Sequence, residues 1–72
     1  MVRNLGEYVL TGHLVDVDRQ VVTEIEVATS GGAVLYRHRF EGVYFADRAA
    51  ATYFVAQRLA EARISAAGVP VW

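Results

Sequence analysis

Residues 21–41 read Val21-Val22-Thr23-Glu24-Ile25-Glu26-Val27-Ala28-Thr29-Ser30-Gly31-Gly32-Ala33-Val34-Leu35-Tyr36-Arg37-His38-Arg39-Phe40-Glu41, and this stretch decides the fold. Apolar and polar residues alternate on both sides of Gly31-Gly32, the period of half-buried strands. A two-residue Gly-Gly turn, with positive φ at both positions, would place Glu26 opposite Arg37, Glu24 opposite Arg39 and Val22 opposite Glu41. Working outward, Tyr8 to Val17 is rich in β-branched and aromatic residues, and Asp18-Arg19 supplies a weaker turn signal. A two-residue turn there pairs Val15 with Val22, His13 with Glu24 and Thr11 with Glu26.

One face then carries Thr11, His13, Glu24, Glu26, Arg37 and Arg39. The other carries Tyr8, Leu10, Leu14, Val21, Ile25, Val27, Val34, Tyr36 and Phe40. A slip of one residue would destroy both patterns at once, because side chains alternate with period 2. The pattern predicts a three-stranded antiparallel meander over residues 8–17, 21–29 and 33–41, with Met1–Glu7 as a polar lead-in.

A helix follows. Asp47 is placed as an N-cap, its carboxylate ready to accept free backbone N–H groups. Residues 48–67 are alanine-rich good helix formers without proline or glycine. Gly68 reads as the C′ residue, and Pro70 as a block to continuation. Such a helix would span about 30 Å and cover the apolar sheet face from end to end. At 100° per residue Ala51, Phe54, Val55, Leu59 and Ala62 form one apolar arc. Ala50, Tyr53, Ala60 and Ile64 form a second. One sheet covers one arc, so the second arc and the apolar tail at residues 68–72 are surplus to a monomer core.

The chain has 72 residues, a formal charge of −1, 54 % hydrophobic residues and no cysteine. These values fit one domain over residues 1–72 and exclude a disulfide scaffold or a cysteine-bearing zinc site. They also argue against disorder. No apolar run approaches a membrane span, and the N-terminus lacks the apolar stretch of a signal peptide. A cysteine-free chain is compatible with the cytoplasm, and a near-neutral charge disfavours a nucleic-acid surface. A domain this small gains little from its core, and self-association is one way to add burial.

The candidate chemistry is sparse. His13 beside Glu24 and Glu26 could begin a metal site, but such a site needs three or four converging ligands. His38, on the core face between Tyr36 and Phe40, is expected to hydrogen-bond Thr23, Tyr36 or Tyr53. Asp16 and Asp18 read as turn residues, and Gly31-Gly32 lacks the helix and lysine of a phosphate loop. No histidine–acid constellation activates the serines and threonines. Catalytic residues, metal ligands and cofactors are therefore not expected. Tyr and Trp are favoured interface anchors, which points to Tyr53, Ala60, Ile64, Val71 and Trp72 as a protein interface.

The run from Phe40 through Gly42, Phe45, Asp47 and Ala51 resembles a segment of small uncharacterised bacterial proteins. In those, an aromatic-ending strand leads through a capped turn into an alanine-rich helix. The resemblance implies a β-β-β-α domain and supplies no activity. Integrase arm-type DNA-binding domains share that topology and use basic residues on the outer sheet face, the position of Arg37 and Arg39. Here Glu24, Glu26 and Glu41 share that face. Double-stranded-RNA-binding domains have a helix before the sheet, and antitoxins with a partial RNase-H-like fold have a Pro-Asp-Leu-Pro-Gly segment. Both features are missing here.

The expectation is an α+β domain that acts as a non-enzymatic, cytoplasmic, self-associating interaction module, most simply a homodimer. The alternative is nucleic-acid binding through Arg37 and Arg39.

Overall fold

The computed structural model describes residues 1–67 and 69–71. It is α+β, with one helix against an antiparallel sheet of four strands rather than three. The strands are β1 (Val2–Leu5), β2 (Tyr8–Val17), β3 (Gln20–Thr29) and β4 (Val34–Arg39), in spatial order β1-β2-β3-β4. Helix α1 (Arg48–Glu61) follows, and then β5 (Arg63–Ile64) and β6 (Pro70–Val71), which pair with each other.

The β2–β3 register is the expected one, with Thr11 opposite Glu26, His13 opposite Glu24 and Val15 opposite Val22. Asp18 and Arg19 both take the left-handed conformation, φ 47° and 68°, as a type I′ turn requires. The β3–β4 hairpin reaches its expected register by a different route. Thr29 N–H donates to the Ala33 carbonyl and Gly32 N–H to the Thr29 carbonyl, so Ser30, Gly31 and Gly32 form a three-residue loop. Of the two glycines, Gly32 alone has positive φ, 97°. A bulge opposite Val27/Ala28 absorbs the extra residue: Leu35 is left without a partner, and from Tyr36 onward the pairing is as expected. Val34 therefore pairs with Ala28 and sits on the charged face, not on the core face that simple alternation predicts.

The third predicted strand is also shorter than residues 33–41. After Arg39 the chain follows β3 loosely, through a Phe40–Thr23 hydrogen bond and a two-bond bridge between Val21 and Phe45.

The supposed lead-in is strand β1. Gly6, φ 61°, heads a two-residue turn that sets Leu5 opposite Tyr8 and Arg3 opposite Leu10. Val2–Leu5 is too short for its alternation to stand out, which is why the sequence reading passes over it.

Helix α1 begins where predicted, with the Asp47 carboxylate accepting Ala49 N–H at 2.8 Å. It ends at Glu61, well short of residue 67. Ala62 turns extended, φ −63° and ψ 141°. Two forces account for this. Leaving the helix lets Ile64 pack against the core. In addition, Arg3 Nη1 donates to the carbonyls of Leu59, Ala60 and Ala62 at 2.8, 2.6 and 2.9 Å. A cation on the orphan carbonyls also complements the negative end of the helix dipole. Pro70 is buried in β6. Gly68, expected as the C′ residue, lies outside the described residues.

Helix α1 is about 21 Å long against about 33 Å for a ten-residue strand, so it does not cover the sheet end to end. Tyr36 faces the helix side but remains 37 % exposed. The core gathers Leu10, Ile25 and Val27 from the sheet with Val55, Leu59 and Ala62 from the helix segment. The crossing point is Gly12, where a β-carbon would lie 3.2 Å from Val55 Cγ2; the missing side chain lets the helix approach.

Arg3→Met is expected to cost about 1–3 kcal/mol in urea unfolding and to speed amide exchange in the last turn of α1. Arg19→Gly, which relieves a non-glycine left-handed residue, is expected to stabilise by about 0.5–1 kcal/mol, read as a raised urea midpoint with an unchanged slope.

Candidate functional site

The face of the sheet away from α1 carries two rows of polar groups, Thr11–Glu26–Arg37 and His13–Glu24–Arg39, each running across β2, β3 and β4. Period-2 alternation puts them there, and the bulge at Leu35 preserves their register. Arg39 Nε donates to Glu24 Oε2 at 2.7 Å, and Arg37 Nη2 to Glu26 Oε1. Arg37 Nε also lies 3.9 Å from Glu24 Oε1. The hydrogen bond and charge of Glu26 hold the Arg37 guanidinium above its ordinary pKa. The guanidinium therefore stays charged throughout the neutral range.

Glu24 is 5 % exposed although no helix lies over it. The side chains of Arg37 and Arg39 reach across from β4 to its carboxylate and are themselves 56 % and 42 % exposed. His13 sits at the end of its row, with Nε2 buried, unbonded and 4.0 Å from Glu26 Oε1. Among the described residues no three His, Asp or Glu side chains converge as a metal site would need.

On the helix side, Tyr36 and His38 lie nearly parallel with centroids 6.4 Å apart. His38 meets Phe40 edge-on at 4.7 Å. Phe40 in turn meets Phe54 at 5.3 Å, and Arg58 lies over the Phe54 ring. The expected His38–Thr23 bond is not made: the Thr23 hydroxyl is buried without a hydrogen-bond partner. The Tyr53 hydroxyl instead accepts from Gln57 Nε2. Asp18 is in its turn as expected, whereas Asp16 pairs with Arg48 at 2.8 Å. A hollow lined by Val17, Val22, Arg39 and Tyr44 holds only about 70 Å³, well below the ~300 Å³ of a small-molecule pocket.

The predicted interface residues do not form the arc expected of them. Tyr53, in mid-helix, is 67 % exposed, and Ala60 is exposed two turns further on. Ile64 has left the helix for β5 and is half-buried against the core. Val71 is half exposed in β6. Trp72 lies outside the described residues. With Ile64 gone, the outward side of α1 presents Ala49, Tyr53, Ala56 and Ala60, all exposed. Their 4-3-4 spacing, visible in the sequence, places them on one side of the helix. Arg37 and Arg39, the nucleic-acid contacts of the alternative reading, are each bonded to a carboxylate.

No family model, curated protein or solved structure matches the chain. No helix among the described residues is long and apolar enough to cross a membrane.

Removing Arg39 strips the buried Glu24 of its closest donor, whereas removing Arg37 mainly frees the more exposed Glu26. Arg39→Met is therefore expected to cost about 2–4 kcal/mol, and Arg37→Met clearly less. Urea titration of both variants checks the order.

Proposed function

We propose that this protein is a non-enzymatic, cytoplasmic interaction module that self-associates through the outward side of α1. One observation carries the reading: Tyr53 stands 67 % exposed in the middle of a helix, flanked at packing spacing by Ala49, Ala56 and Ala60. An aromatic ring held out in water between small residues is the shape of a knob beside its holes. The seam is its own complement. In an antiparallel pair of α1 helices about a two-fold axis, Tyr53 of each copy lies over Ala56 of the other, and Ala49 over Ala60. Large meets small in the Tyr53–Ala56 layers, and the Ala49–Ala60 layers allow the helices to approach closely. The Tyr53 hydroxyl already accepts from Gln57 Nε2 within its own helix, which meets part of its hydrogen-bonding capacity when the ring is covered.

Sedimentation equilibrium at micromolar concentration tests this. The expected species has twice the 7.9 kDa chain mass, and Tyr53→Glu is expected to weaken the pair at least about tenfold without changing the circular dichroism. A 7.9 kDa species at every concentration overturns the reading, as does a Tyr53→Glu variant that stays paired.

A further inference from the structure

The open edge of β4 lies on another part of the molecule. Phe40 N–H donates to the Thr23 carbonyl. Bonded and non-bonded positions alternate along an antiparallel ladder, so Tyr36 and His38 also turn their backbone groups toward β3. Those of Arg37 and Arg39 point outward, to the side where the sheet has no further strand among the described residues. Such a row is a template for another strand.

We propose that this edge binds an extended segment of another protein as a fifth, antiparallel strand, with acidic residues opposite Arg37 and Arg39 and an apolar residue between them. The charge order across the sheet sets the chemistry. The side chains of Glu24 and Glu26 are 6 % and 18 % exposed, while those of Arg39 and Arg37 are 42 % and 56 % exposed. The sequence of charge from β3 outward is buried negative, then exposed positive, and a carboxylate continues the alternation. Each guanidinium has five donors in a planar fork, so an arginine bonded to its β3 carboxylate retains donors for a second. On the helix side, the residue between the two acids falls beside Tyr36 and His38, where an apolar side chain would cover the partly wet Tyr36 ring.

A second copy does not fit this edge. Any β4–β4 register that uses the regular stretch from Tyr36 to Arg39 brings arginine opposite arginine or leaves the outward groups unmatched. The other free edge, β1, reads Val2-Arg3-Asn4-Leu5 and contains no carboxylate. The Leu35 bulge further blunts like-with-like pairing. The edge therefore discriminates against its own kind and accepts strands of opposite charge.

The test uses the full isotopically labelled chain and three end-capped peptides, Val-Glu-Val-Glu-Val, Val-Gln-Val-Gln-Val and Val-Lys-Val-Lys-Val. The glutamate peptide is expected to shift the amides of Arg37 and Arg39, with binding that weakens as salt rises. The glutamine peptide is expected to bind several-fold more weakly and the lysine peptide not measurably. N-methylation at the two glutamates, whose N–H groups would face β4, should abolish binding, whereas N-methylation at the central valine should not. These arms need no protein variant, so loss of folding cannot mimic the result. Equal binding of the lysine peptide, shifts confined to α1, or indifference to where the N-methyl groups sit overturns the proposal. So does displacement of the glutamate peptide by a short single-stranded DNA that binds more tightly. Tyr53→Glu should leave peptide binding unchanged, so this proposal and self-association through α1 can fail separately.

Discussion

The paired carboxylates and guanidiniums on the far side of the sheet govern much of the molecule. They lock β4 to β3 in one register, since a slip would put glutamate against an apolar neighbour and leave arginine unmatched. They also cover β3 on the side that lacks a helix. A two-layer domain normally has one dry and one wet sheet face. Here the wet face is closed over Glu24 by the arginines that neutralise it, so the chain needs only one helix. Because arginine lies outermost, the same arrangement decides the charge of the free edge.

The sequence makes the pattern of this face legible because pairing and alternation are local and periodic. The β2–β3 register and the rungs from Glu24 to Val27 follow from counting residues across two turns. What alternation cannot register is compensation. The Gly31-Gly32 loop holds one residue more than a minimal turn, and the bulge at Leu35 takes it back. Both deviations cancel for Arg37 and Arg39, but Val34 between them changes face. The helix end was hidden for another reason. Alanine-rich residues up to 67 have good intrinsic propensity, and only contacts with β1 and the core make an extended path better for Ala62 and Ile64. Tertiary context overrides propensity in such cases, and Arg3 is too distant in sequence for any local window to see. The candidate surfaces were legible in part: Tyr53 stood out by type, while Ile64 was lost once the helix stopped before it.

The two proposed surfaces rely on different physics. The seam on α1 is apolar and shaped, so its strength comes from packing and responds little to salt. The edge of β4 offers backbone groups and charge, so its strength depends on ionic strength and on the partner's sequence. They belong to different elements and share no residue.

The contact between Arg3 and the helix end also has a bearing on how the molecule comes into being. It joins positions separated by 56 to 59 residues. Hairpins between neighbouring strands close short loops and can form early, whereas this contact closes a long one and carries the entropy of doing so. Until α1 docks, the meander keeps an uncovered apolar side, and neither β1 nor the helix end is secured by the other.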